Sequence, residues 1–132
     1  MTAVDELVEW LRAQLDKDER IARAVKDRSA PWDGQWMADG NSAVRTVNGH
    51  VLFYRHDSGP LKPGLADHAA EWDPARVLRE IDAKRDLLRF AEGVHDHHET
   101  FTTGVASRLE VTLRLFAAAY ADRPGYRDEW RP

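Results

Sequence analysis

The chain contains no cysteine, which excludes both a disulfide framework and a thiolate metal site. It also has no uninterrupted apolar run that approaches the roughly 20 residues needed to cross a bilayer. Residues 1–18 are acidic and amphipathic, whereas a secretory leader begins basic and then becomes apolar. These absences predict a protein that stays in the cytoplasm and has no membrane partner.

Charge of one sign is not concentrated anywhere in the chain. The net charge of −4 comes from 23 acidic and 19 basic residues that are interleaved along the sequence. Unspecific nucleic-acid binding needs a contiguous basic face, so nucleic acid is disfavoured as a partner, and only a specific DNA contact through a few arginines stays open. The sequence also lacks a nucleophile elbow, a phosphate-binding glycine loop and a dinucleotide fingerprint, which disfavours the common enzyme classes.

Most of the chain shows the hydrophobic periodicity of amphipathic helices. With 132 residues, 42% hydrophobic and 32% charged, the chain can form one core, so we predict a single domain over 1–132. Apolar residues recur every three or four positions in three segments, at about 3–27, 74–99 and 104–121. The last of these has the broadest apolar arc, so we expect it to be the most buried helix. In the tail, 122–132, we expect Tyr126 and Trp130 to hold the chain onto the fold.

Between the first two long helices, the spacing of the apolar residues changes from the helical period to the period of two residues that is typical of β-strands. β-prone runs at about 35–38, 43–47 and 50–55 are separated by turn residues, and Asn48-Gly49 is a strong hairpin signal. We predict an α+β fold in which a three-stranded antiparallel meander packs against the three longer helices. A two-residue turn would place Val44, Thr46, Val51 and Phe53 on one face, and Arg45, Val47, Leu52 and Tyr54 on the other. Both faces are partly apolar, so the second needs a cover from another helix or a partner subunit.

Three stretches of the chain resemble a known family. VDELVEWLRAQLDKDERIARAV, WDPARVLREIDAKRDLL and LRLFAAAYADRPGYRDEWRP are similar to an uncharacterised family of small actinobacterial proteins, common in Streptomyces. The most specific parts are the DPARVLRE run at 73–80 and the Tyr-Ala-Asp run at 120–122 that leads into Glu-Trp-Arg-Pro at 129–132. The resemblance covers most of the chain and implies a shared fold unit, with no assigned activity.

A histidine-rich segment follows the middle of the second long helix. If that helix continues to about 99, Glu92, His95 and Glu99 share one face with His98 beside them. Imidazole and carboxylate groups suit Zn²⁺ or another divalent transition metal. Glu92 and His95 supply only one half of the paired Glu-x-x-His pattern of dimetal helical sites. The simpler interpretation is a polar helix end, where histidines are favoured near the C-terminus.

Two interpretations of function remain open. We predict an interaction or regulatory module without catalytic activity, which works as a homodimer or on a protein partner through the second sheet face or an apolar helix surface. The alternative is a divalent-metal-binding protein or metal-dependent enzyme that uses Glu92, His95, His98 and Glu99. Trp32 and Trp36 could line a ligand cleft, but the simpler interpretation is that they close the seam between the first helix and the sheet, together with Trp10.

Overall fold

A computed structural model describes residues 2–26, 34–57, 59–96 and 103–132, which form four α-helices, a three-stranded sheet and one 3₁₀ helix. The helices are α1 (Ala3–Lys26), α2 (Leu65–Glu71), α3 (Pro74–Asp96) and α4 (Thr103–Ala118), and the 3₁₀ helix is Asp128–Trp130. The strands are β1 (Trp36–Asp39), β2 (Ala43–Thr46) and β3 (Val51–Tyr54), in the order β1-β2-β3. The predicted α+β class and antiparallel meander are confirmed. In the described ranges, no helix has the length and apolar composition that a membrane span requires.

The contacts within the chain define two compact units. The first comprises Met1–Lys17 and Asp82–Pro132, and the second comprises Asp18–Ile81, so the division falls within α1 and within α3. The single domain expected over 1–132 stays a prediction.

Helical stripes build the core of the first unit. Its buried apolar side chains come from α1, α3, α4 and the tail: Leu7, Val8, Leu11, Leu15, Leu88, Ala91, Val94, Leu113, Ala117, Tyr120 and Trp130. Trp10 lies beside this core, with its ring centroid 5.2 Å from that of Trp130 and 5.8 Å from that of Tyr126. Its indole N–H donates a hydrogen bond to the carbonyl of Pro124 (3.1 Å). The expectation that Tyr126 and Trp130 hold the tail is therefore confirmed.

The two later helices differ from their predicted extents and burial. Helix α3 runs through Gly93 to Asp96, and the predicted end at 99 lies outside the described residues. After Ala118 the chain continues in 3₁₀-type turns, in which Ala121 N–H donates to the carbonyl of Ala118 (3.2 Å). Val111 and Leu115 of α4 are 50% and 56% exposed, so the expectation that α4 is the most buried helix is wrong for this side of it. The broad apolar arc of α4 exceeds the width that the first unit covers.

Helix α2 covers one face of the sheet, termed the inner face. It follows Gly64, whose φ of 83° lies in the left-handed region, and it packs against β1 and β2. The side chains of this small core are Val44, Leu61 and Ala66, with Trp36, Ala38, Phe53 and Ala69 packed against them. The short helical segment before Trp72 thus supplies the cover for the inner face.

The loop between β2 and β3 is longer than the predicted two-residue turn. Thr46 N–H donates to the carbonyl of His50 (2.8 Å), and Gly49 N–H donates to the carbonyl of Thr46 (2.9 Å), so the loop has three residues, 47–49. Gly49 has a φ of 97°, the conformation expected at the last position of a three-residue loop. Consequently β2 ends at Thr46 and β3 starts at Val51, inside the predicted bounds.

A β-bulge in β3 compensates for this extra loop residue. Val44 pairs with Phe53, but the next residue of β2, Arg45, pairs with Val51, which leaves Leu52 as the additional residue. The prediction that Val51 shares the face of Val44 and Phe53 is therefore wrong. Val51 lies on the face of Arg45, because directly paired residues point to the same side of a sheet.

Asp73 ties the start of α3 to the start of β1 within the second unit. Its Oδ1 accepts a hydrogen bond from the backbone N–H of Arg76 (2.8 Å), and its Oδ2 accepts one from the backbone N–H of Trp36 (3.0 Å). The backbone N–H of Ala75 also donates to the carbonyl of Gly34 (2.9 Å). One carboxylate thus caps the helix and orients the first strand of the sheet.

Candidate interaction surface

Only part of the predicted metal cluster lies within the described residues. Glu92 and His95 both lie on α3, but the side chain of His95 and the whole of His98 and Glu99 are outside the described part of the chain. The Glu92 carboxylate accepts hydrogen bonds from Nη2 (2.5 Å) and Nη1 (3.3 Å) of Arg12. These bonds to a carboxylate raise the pKa of Arg12 above its ordinary value. A metal ion that used Glu92 as a ligand would compete with this guanidinium for the negative charge of the carboxylate.

The described side chains contain no other candidate for a metal centre. Among them, no group of three histidine, aspartate or glutamate residues could hold an ion. Of the tryptophans considered for a cleft, Trp32 is outside the described residues and Trp36 is half-buried against the core of the sheet unit. Trp10 contacts the tail aromatics of the first unit, and its predicted place at a seam with the sheet stays a prediction.

The second face of the sheet, termed the outer face, has a mainly apolar floor. The paired residues Ala43 and Tyr54, and the paired residues Arg45 and Val51, lie on this face. With Ser42, Arg55 and Gly59 they line a shallow groove of about 270 Å³. The bulge in β3 is what adds Val51 to this groove, so the local geometry of the hairpin determines the composition of the face.

Strand β3 is also a free edge of the sheet. In the strand order β1-β2-β3 of the described residues, β3 pairs only with β2. Val51, Leu52 and Tyr54 are 44%, 38% and 63% exposed. Apolar side chains and unpaired backbone groups therefore occur together along one strand.

Two arginine–aspartate ion pairs flank this apolar strip. Arg45 Nε lies 2.8 Å from Asp39 Oδ2, and Arg55 Nη2 lies 2.5 Å from Asp57 Oδ2. Arg55 also donates to the carbonyl of Pro60 (3.1 Å), which shapes the loop beside the groove. Each guanidinium already has a carboxylate partner, so the groove does not demand an acidic ligand.

Sequence reasoning anticipated an open second face but missed the position of Val51. Asn48-Gly49 is compatible with loops of two or three residues, since glycine is favoured at the left-handed position of both. Thr46 stabilises the longer loop, because its Oγ1 accepts a hydrogen bond from the backbone N–H of His50 (3.1 Å) and bonds to the Asn48 side chain. A threonine at the end of a strand, shortly before Asn-Gly, was the sequence signal that favoured the three-residue loop.

A small α+β protein with an uncovered apolar sheet edge is the class that this fold and surface define. The chain belongs to DUF6221, a family of unknown function, whose model matches residues 4–132. No curated protein and no solved structure matches the chain.

Proposed function

We propose that this protein is a non-enzymatic binding module whose β3 edge and outer face bind an extended segment of a partner protein. The supporting observation is β3 itself, Val51–Tyr54, a strand of four apolar or aromatic residues that is an edge of the sheet in the described part of the chain. Edge strands in native proteins are usually shielded by charge, proline or a covering element, because they offer unpaired N–H and C=O groups. Strand β3 has no charged residue and no proline, which favours addition of a further strand.

The groove beside the edge indicates the chemistry of the partner segment. In strand addition, backbone hydrogen bonds supply affinity, and side chains at every second position supply specificity. Val51 and Tyr54 offer apolar contact area to those positions, whereas Arg45 and Arg55 are paired with aspartates. The expected partner is therefore an extended segment with alternating apolar residues and no requirement for net charge.

Selection from a displayed library of random peptides tests this proposal. We expect the selected peptides to show apolar residues at alternate positions and to slow amide hydrogen exchange at 51–54. Val51→Lys and Leu52→Lys should each weaken binding by about tenfold or more, because a lysine on an edge strand opposes strand addition. Circular dichroism confirms that each variant folds.

Ile21→Lys provides the matched control. Ile21 is 59% exposed on α1, in the same compact unit as the sheet, and the substitution adds the same charge on a helix instead of on β3. Binding should be unchanged in this variant. Peptides that bind the wild type and both β3 variants equally well would contradict a site at this edge.

A further inference from the structure

A second uncovered surface lies on α4, in the first unit. Arg108 and Leu115 are seven residues apart, so they lie on one line along α4, about 10 Å from each other, and Asp122 is an exposed residue of the 3₁₀-type turns that follow Ala118. Val111 and Ala118 lie next to this line, one helical turn to either side of Leu115. All five residues are exposed, and together they are termed the α4 stripe.

The two charged residues of the α4 stripe lie on opposite sides of its centre. Arg108 lies seven residues before Leu115, and Asp122 lies seven residues after it. Within the described ranges, neither the Arg108 guanidinium nor the Asp122 carboxylate forms an ion pair. The neighbouring Arg114, by contrast, pairs with Glu110 (3.0 Å) on the same helix. The stripe is therefore an apolar centre with one unused positive end and one unused negative end.

We propose that two copies of the chain associate through the α4 stripe, with the helices antiparallel and a two-fold axis at Leu115. This arrangement places Arg108 of each copy against Asp122 of the other and brings the two Leu115 side chains together. A parallel arrangement would oppose Arg108 to Arg108 and Asp122 to Asp122, which like-charge repulsion disfavours. Self-complementarity under a two-fold rotation is what an interface between identical subunits requires.

The self-association goes beyond the proposed peptide-binding function, because it uses no residue of the sheet. One helix pair buries less surface than a stable dimer interface, so we expect a weak dimer that forms in a concentration-dependent manner. The exposed ion pairs contribute mainly to the choice of partner and orientation. The apolar centre at Val111 and Leu115 supplies the buried area.

Exchange of the charges at Arg108 and Asp122 tests this arrangement. Dimerisation is measured by analytical ultracentrifugation at protein concentrations from about ten micromolar to about one millimolar. Arg108→Asp and Asp122→Arg alone should each weaken dimerisation by about tenfold or more, because each replaces two attractive contacts with two repulsive ones. The double variant Arg108→Asp, Asp122→Arg should restore the wild-type affinity, since it exchanges the charges and keeps their complementarity. Added salt should weaken the wild-type dimer.

Arg79→Asp is the control, because Arg79 is an exposed arginine on α3 outside the stripe, and its substitution should leave dimerisation unchanged. A wild-type monomer over the whole range overturns the proposal. So does a double variant that remains as weak as the single ones, or single variants that dimerise normally. Peptide binding measured on the same charge variants separates the two proposals, because it should persist whether or not the dimer forms.

Discussion

Two glycines show how the same residue type serves opposite needs in this protein. Gly93 lies inside α3, and a Cβ added there would meet no atom within 4 Å. Gly125 has a φ of 87°, and a Cβ added there would lie 2.7 Å from Nε1 of Trp10. The first glycine weakens a helix without a steric reason, whereas the second allows the tail to approach Trp10 closely.

Gly93→Ala should therefore raise the free energy of unfolding by about 0.5–1 kcal/mol, since alanine loses less backbone entropy in a helix. Gly125→Ala should lower it, because the added methyl group collides with Trp10 and a left-handed φ strains alanine. Urea denaturation followed by circular dichroism measures both values. Equal shifts of the same sign would show that these local geometries do not govern stability.

At the scale of elements, the junction between β1 and α3 depends on one side chain. Asp73 accepts two backbone hydrogen bonds, from Arg76 in the first turn of α3 and from Trp36 at the start of β1. The Asp73-Pro74 sequence is a strong signal for this cap, because an acidic N-cap is followed by proline at the first helical position. It did not predict the bond to Trp36, which joins residues 37 positions apart.

Asp73→Ala should lower the free energy of unfolding by about 2 kcal/mol, through loss of the cap and of the acceptor for Trp36. Asp73→Asn keeps one oxygen acceptor and should cost less than the alanine variant. Thermal unfolding of both variants checks the order. An alanine variant as stable as the wild type would mean that water satisfies both amide groups equally well.

The hairpin and α4 contain both features that the sequence predicted and features that it did not. Strand positions and the Asn48-Gly49 turn followed from local chemistry, which the sequence displays directly. The bulge at Leu52 did not, because it depends on a choice between two loop lengths that Asn48-Gly49 is equally compatible with. The exposure of Val111 and Leu115 was also missed, since an apolar arc does not reveal how much of it the rest of the chain will cover.

At the scale of the whole molecule, the interleaved charges of the sequence do not indicate which acidic and basic residues form ion pairs with each other. In the first unit, α1 forms ion pairs with distant segments through Arg12 with Glu92, Asp16 with Arg85 (2.8 Å), and Glu6 with Arg127 (2.6 Å). These pairs span 80, 69 and 121 residues of sequence, so only the fold determines them. The Arg12–Glu92 pair bears on the metal-binding alternative, because Glu92 is also a predicted metal ligand.

The metal-binding alternative and the structural role of Glu92 predict different outcomes for Glu92→Gln. We expect this substitution to lower the free energy of unfolding by up to about 1 kcal/mol, because both side chains of the pair are partly exposed and solvent screens their attraction. We also expect it to leave any effect of Zn²⁺ on the melting temperature unchanged, because Arg12 already holds the carboxylate. Thermal unfolding of tag-free protein, with and without Zn²⁺, measures both.

Glu110→Gln is the matched control, because Glu110 pairs with Arg114 on one helix and lies outside the 92–99 segment. His95→Ala and His98→Ala, combined in one variant, test the rest of the predicted cluster by the same measurement. A ligand that binds only the folded state raises the melting temperature, and the rise grows with the logarithm of the ligand concentration divided by its Kd. A rise with Zn²⁺ that disappears in Glu92→Gln but persists in Glu110→Gln would therefore show that a metal ion binds the Glu92 carboxylate in spite of its bonds to Arg12, and it would make metal binding the leading function of this protein.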